Sequence, residues 1–382
     1  MTEQPGHHRH PVGEPLEREA DALINPEGTV EVPPAEQMSL LARLRQPRTI
    51  LSITVPLIII LIAVYLNRSV LADVPRYVSE ANPLLVLAAF AIYYLGFPLR
   101  GYRWKTLLKG AGYRVSSKDA TEILFLSWLV NCVVPAKLGD VYRAYLLKLN
   151  SPVSATRTLG TVFIERILDL FAIAVLGLAA GYWRFHDKLG ELSWTMQFIF
   201  AFGVVLVVIL AVLLIVMRSF GRRVIEALPL PHRATVLYER FEEGVFNSVG
   251  IKGLPGLGLL TVAIWATEAM RLGFVILALG FPGLNLGVSG ILFVALIGSL
   301  LTAVPLTPAG LGAVEGGVGT VLVTVFGVPL GQATAIILVD RAISVFTIVI
   351  FGAIAYMISS KPRGGGMKVE EIELQPAPGQ PA

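Results

Sequence analysis

The 382-residue chain is 54% hydrophobic and only 15% charged, where an ordinary soluble domain carries roughly a quarter of charged residues. With a mean hydropathy of +0.70, these residues cannot clothe a soluble globule, which excludes a soluble enzyme held by a single anchor. A net charge of +4 does not point to nucleic acid, because the excess Lys and Arg flank the apolar runs, where they act as topology signals.

Residues 1–46 are rich in Pro, Glu and Gly. They offer too little apolar surface to offset chain entropy and are expected to form a disordered cytoplasmic tail. His7, His8 and His10 lie within it and have no fixed geometry for a metal. Full transmembrane spans are predicted at Thr49–Leu66, Pro83–Leu99, Leu159–Trp183, Trp194–Met217, Leu257–Leu279 and Ala333–Ile358, each close to the roughly 20 apolar residues that cross hydrocarbon. Residues 120–149 and 288–326 are also apolar but are interrupted at VVPAKLGD and AVPLTPAGLG. There Pro135, Gly139, Pro305, Pro308, Gly310 and Gly312 break a continuous helix. Between Arg218 and Gly256, Leu237, Phe241, Val245 and Val249 recur every four residues beside Arg233 and Arg240, the pattern of an interfacial helix. Residues 361–382 are expected to form a second disordered cytoplasmic tail.

Basic residues set the orientation. Arg43, Arg45 and Arg48 precede the first span, Arg100, Arg103, Lys105, Lys109, Arg114 and Lys118 follow the second, and Arg218, Arg222, Arg223, Lys361, Arg363 and Lys368 follow later ones; all are expected in the cytoplasm, with both termini. Region 120–149 then enters and leaves from the cytoplasm, and region 288–326 from the exterior. The fold class expected is an all-α polytopic membrane protein in the cell (inner) membrane, its transmembrane domain covering 47–360. It has about six full spans and two broken re-entrant hairpins, arranged as inverted repeats over about 83–183 and 257–358. Inverted repeats with broken helices build transport folds.

Eleven ionisable residues fall at membrane depth or in the broken regions: Lys137, Asp140, Arg143, Glu165, Arg166, Asp169, Glu268, Arg271, Glu315, Asp340 and Arg341. Each costs about 2.5–3.5 kcal/mol at a helix centre, so the set must pair or face water. Asp140 with Arg143, Arg166 with Asp169 and Glu268 with Arg271 are three apart and share helix faces. Glu165 and Asp169, like-charged and four apart, need an Arg nearby or a raised pKa. Glu165-Arg166 and Asp340-Arg341 each begin a few turns into their spans. If the repeats are inverted, these pairs approach from opposite sides around a polar cavity. Mutual salt bridges that only fix helix register are the competing reading. Gly312 and Gly316 form a GxxxG, suited to close helix packing.

Several chemistries lack their residues. Every histidine lies outside the apolar spans, so a buried Ser-His dyad or a His-based zinc site has no candidate, and there is no GxxxxGK[ST] phosphate loop. Asp140 with Asp169 is the remaining intramembrane aspartyl pair. Cys132, the single cysteine, reads as a small buried residue. No cofactor or metal is expected, and no enzymatic activity.

The runs SWLVNCVVPAKLGDVYRAYLL, TLGTVFIERILDL, VPLTPAGLGAVEGGVG and LVDRAIS resemble the lysylphosphatidylglycerol synthase transmembrane-region family of flippase-like membrane proteins, over roughly residues 50–360. The resemblance implies movement of phospholipid between leaflets; the C-terminal aminoacyltransferase domain of bifunctional members is not expected here. On this reading a headgroup phosphate sits near Lys137, Arg143, Arg166, Arg271 and Arg341. Asp140, Glu165, Asp169, Glu315 and Asp340 orient these cations, or bind protons or a cationic headgroup, and transport is passive or ion-coupled. The expected function is an integral membrane lipid translocase for an anionic phospholipid or lipid-linked phosphate. The alternatives are a non-transporting partner of a lipid or glycan biosynthetic enzyme and an intramembrane transferase. Membrane lipids, such an enzyme and a second copy of the chain are the partners considered.

Overall fold

The computed structural model describes Tyr65 and residues 72–134, 137–186, 194–228, 232–250, 253–303, 307–365, 367 and 369–371. The predicted span Thr49–Leu66, Pro135, Pro305 and the N-terminal tail lie outside these residues, apart from Tyr65.

After a short helix α1 (Val74–Ser79), the Asn82 side chain accepts from the amides of Leu84 and Leu85 and starts α2 (Pro83–Gly110), with Pro83 in the first turn, where its missing N–H is no loss. This helix continues 28 residues, past the predicted end at Leu99 and through Pro98. The reason is packing: Gly101, Trp104, Leu107 and Leu108 keep one buried face going beyond the basic residues. Ser116 caps α3 (Ser117–Val133) by accepting from the Asp119 amide. The chain breaks and folds back as α4 (Leu138–Asn150), packed on α3. Ser154 caps α5 (Ala155–Phe185).

Next come α6 (Trp194–Ala227) and α7 (His232–Phe246). The predicted interfacial segment is helical as α7, which packs against α5. Val245 is fully buried among Leu107, Ile164, Ile167, Leu210 and Leu257. Gly160 and Gly244 bring the two backbones together, since a Cβ on Gly160 would overlap the carbonyl oxygen of Phe241.

The order long helix, helix pair, long helix then recurs. Helix α8 (Leu254–Leu279) closes on Gly280, which takes the left-handed conformation of a C-cap. Helix α9 (Gly287–Ala303) leads to a 3-10 turn at Pro308–Gly310 and folds back through α10 (Ala313–Thr320), which widens into a π-helical turn at Val321–Val325. Helix α11 (Leu330–Arg341), a π-helical turn at Ala342–Phe346 and α12 (Thr347–Ile358) follow without interruption. Contacts between the halves are reciprocal. The two leading helices, α2 and α8, pack together; α3 of the first pair packs on α12, and α9 of the second packs on α5.

Five helices among the described residues are long and apolar enough to cross a membrane: Pro83–Gly110, Met196–Ile225, Leu254–Leu279, Pro308–Val325 and Leu330–Ile358. Four carry predicted spans; the fifth, Pro308–Val325, lies in the second broken region. The predicted span Leu159–Trp183 is helical within α5 but is not among the five. Helix α8 is central, with most of its apolar stretch buried, and α6 is peripheral, with almost none of its own buried.

The described part of the C-terminal segment is ordered where a disordered tail is predicted. A 3-10 turn spans Lys361–Arg363, and Lys361 is buried against Asp119 at 2.8 Å. Glu370–Glu371 pairs antiparallel with Tyr113–Arg114. These elements belong to one compact unit, Leu44–Ala382; the other unit, Met1–Arg43, lies outside the described residues.

Candidate functional site

Each interrupted helix pair turns at a left-handed residue. Among the described residues, the non-glycines with positive φ are Lys137 (54°) and Ala309 (50°), one at each break. Lys137 is the N-cap of α4, and Gly312, with φ 85°, is the N-cap of α10. The left-handed conformation costs a residue with a Cβ about 1–2 kcal/mol, so glycine is the expected occupant and lysine the departure.

Three residues past each cap stands an acid held by an arginine. Arg166 donates through Nε and Nη2 to the two oxygens of Asp140, at 2.8 and 2.7 Å. Arg341 donates through Nε to Glu315 at 2.7 Å and through Nη2 to the Ala309 carbonyl at 2.7 Å. Glu315 also accepts from the Gly312 amide at 2.6 Å. Each arginine thereby ties the second arm of a helix pair to the long helix that follows it.

Behind the first pair, Arg103 of α2 answers the demand of Glu165 and Asp169 for a cation. It donates to both Asp169 oxygens at 2.6 and 2.9 Å and to Glu165 at 3.1 Å. Arg143 donates to Glu165 at 3.1 Å and lies 4.8 Å from the Trp104 ring. The predicted pair Asp140–Arg143 is therefore not formed: Asp140 is taken by Arg166 and Arg143 by Glu165. Arg166 with Asp169 does form, at 3.6 Å. On the other side, Arg100 of α2 donates to Glu268 at 2.6 Å, Glu268 accepts from Arg271 at 2.9 Å, and Arg271 donates to Asp340. The predicted Glu268–Arg271 pair is thus present inside a longer alternating chain.

These side chains surround a cavity of about 410 Å³ lined by both halves, within the roughly 300–1,000 Å³ typical of ligand pockets. Of the eleven predicted residues, Lys137, Asp140, Arg166, Asp169, Glu268, Arg271, Asp340 and Arg341 line it. Arg143, Glu165 and Glu315 do not; they stand behind the lining and hold it. Gly139, Gly310 and Pro308 are buried at the breaks. A Cβ on Gly316 would meet nothing within 4 Å among the described residues of the chain, whereas one on Gly317 would press into Leu301. Cys132 is half-buried and lines the cavity, rather than being plain core.

Sequence reasoning missed Arg100 and Arg103, taking them as loop signals after Leu99; they are buried, 4% and 1% exposed. Their signal was present, since Tyr93, Gly96, Arg100, Arg103 and Leu107 follow one helix face. Tyr93, Trp128 and Trp265 also line the cavity. Buried donors there lack partners among the described residues: Nη1 of Arg100, Nε of Arg271 and Nε1 of Trp265. The ammonium of Lys137, half-buried, likewise has no ion pair or hydrogen bond among them.

A family model described as the lysylphosphatidylglycerol synthase TM region matches residues 50–352. A UPF0104 membrane protein of Methanocaldococcus jannaschii is 36% identical over 232 residues, 60% of this chain and 93% of that one. A second from the same organism is 24% identical over 330 residues, 81% of this chain and 94% of its own. Glycosyltransferase AglD of Haloferax volcanii is 28% identical over 331 residues, 78% of this chain but 52% of AglD, so the match spans about half of that relative. The chain is a multi-pass membrane protein and belongs to the lysylphosphatidylglycerol synthase transmembrane-region family.

Proposed function

We propose that this protein is a lipid translocase that takes an anionic headgroup into the cavity between its two halves while the acyl chains stay in the bilayer. The supporting observation is the cavity itself: a charged chamber inside an apolar protein, reached by cations from both halves and edged by donors without partners. Intramembrane charge held at such a cost marks substrate pathways. Lys137, Arg166, Arg271 and Arg341 of the predicted cations face the chamber, and Arg100 joins them, whereas Arg143 supports Glu165. The two halves are taken as inverted, so that Asp140–Arg166 and Glu315–Arg341 stand toward opposite leaflets. Transport is passive or ion-coupled, and no covalent step is assigned.

The test is leaflet exchange of fluorescent phospholipids and isoprenyl phosphates in liposomes carrying the purified protein, with Arg166→Gln and Arg341→Gln as controls. Exchange lost in both folded variants supports the reading. No exchange of any lipid, with or without an ion gradient, refutes it. The match to a protein named a glycosyltransferase favours a second reading, in which the chain partners a lipid or glycan biosynthetic enzyme and the cavity holds that enzyme's lipid. Loss of a co-purifying enzyme, rather than of exchange, in the same variants would identify it.

A further inference from the structure

The charges around the cavity come close to cancelling, and the remainder is informative. Among the described residues, Asp140, Glu165, Asp169, Glu268, Glu315 and Asp340 are each bonded to at least one of the arginines 100, 103, 143, 166, 271 and 341. Six carboxylates thus face six guanidinium groups. Lys137 is left over, so the cluster carries one net positive charge, and its ammonium lines the cavity.

That excess arises at the N-cap of the second arm of the first pair. The acid three residues on and the arginine 26 further on recur in both halves, but the N-cap of positive φ is Gly312 in one and Lys137 in the other. A lysine takes positive φ at the cap where the other half has glycine, and the other break places its positive-φ non-glycine, Ala309, ahead of the cap. On α8, Arg271 Nε and Trp265 Nε1 are buried donors without partners among the described residues. They belong to residues 8% and 9% exposed, and both line the cavity.

From this juxtaposition we infer that the cavity selects a singly charged phosphodiester, the linkage of a glycerophospholipid headgroup, over phosphate monoesters, diphosphates and headgroups of net positive charge. A diester carries one negative charge and neutralises the excess, with its oxygens open to the free donors. A monoester carries about −1.5 to −2 and overfills the site. A cationic headgroup adds to the excess. The inference rests on the headgroup reading above and names the substrate class for that same site.

The experiment separates binding from transport. Fluorescent phosphatidylglycerol is bound at equilibrium to the purified full-length protein in neutral detergent. It is then displaced by unlabelled phosphatidylglycerol, phosphatidic acid, an isoprenyl diphosphate, lysylphosphatidylglycerol or deacylated glycerophosphoglycerol. Phosphatidylglycerol should compete best. Lys137→Gly, which suits the left-handed backbone and keeps the fold, should weaken its binding by about tenfold to a hundredfold, the worth of a charged hydrogen bond. Lys137→Arg should restore it. Equal competition by phosphatidic acid, the diphosphate or the lysyl lipid overturns the inference, as does unchanged binding to the Lys137→Gly variant. Glycerophosphoglycerol competing as well as the intact lipid upholds the diester but makes a free diester its source. Binding that follows this pattern without leaflet exchange upholds the inference and removes the translocase reading.

Discussion

Arg166 holds Asp140 through two hydrogen bonds, at 2.8 and 2.7 Å, across 26 residues of chain, and Arg341 stands at the same separation from Glu315, at 2.7 Å. A bidentate guanidinium–carboxylate pair fixes both distance and orientation. Arg166 does this with Asp140, and Arg341 does it by bonding both Glu315 and the Ala309 carbonyl, so each arginine sets how its second arm sits on the long helix beside the cavity. If they act as paired closures, neutralising either arginine stops lipid exchange, while swapping the charges, Asp140→Arg with Arg166→Asp, recovers part of it. A double-mutant cycle on exchange rate should give a coupling of about 0.5–3 kcal/mol. Coupling near zero would reduce the pairs to independent supports.

Arg103 predicts a loss of stability. At 1% exposed, it bonds to both Glu165 and Asp169. Arg103→Met leaves one carboxylate short of a partner in the interior and should cost about 3–5 kcal/mol. Arg103→Lys should recover little, because a point charge cannot reproduce the fork that spans two acids. Unfolding midpoints in detergent are the measurement.

The glycines of the two helix pairs should separate cleanly. Gly139→Ala drives a Cβ into the Ser127 carbonyl oxygen and the Asn131 side chain, where backbone cannot give way, so α3 and α4 must part. Gly316→Ala meets nothing within 4 Å and should leave folding unchanged. Monodispersity after extraction tells the two apart, and equal damage would contradict the packing described.

Lys137→Gly should move stability and binding in opposite directions. Removing the Cβ relieves a left-handed backbone worth about 1 kcal/mol or more, so the thermal midpoint should rise slightly or hold. Lipid affinity should fall. A lower midpoint would mean that the lysine side chain, and not its backbone, supports the break.

Much of this was legible beforehand for a local reason. Long apolar runs announce helices, and Pro and Gly at VVPAKLGD and AVPLTPAGLG announce their interruptions, because both effects act within a turn or two of chain. Glu165 and Asp169 even declared the need for a cation. Its identity was hidden, since Arg103 lies 62 residues away from Glu165 on a helix expected to stop at Leu99. A basic residue after an apolar run reads as a loop signal unless the buried face beyond it, here Trp104 and Leu107, is followed further.

The sequence by itself determined that the chain is a helical membrane protein with interrupted helices and a set of charges too costly to leave unpaired, because hydrophobicity, proline chemistry and charge desolvation are properties of single residues and their neighbours. Only the tertiary structure decided which charge answers which. Ion pairing depends on distances of a few ångströms between helices far apart in sequence, and such distances are set by packing: α2 against α8, and each broken pair against the long helices of both halves. That packing placed Arg143 and Glu165 behind the wall, brought Arg100 up to the cavity, and left Lys137, of the cations lining it, without an ion pair among the described residues.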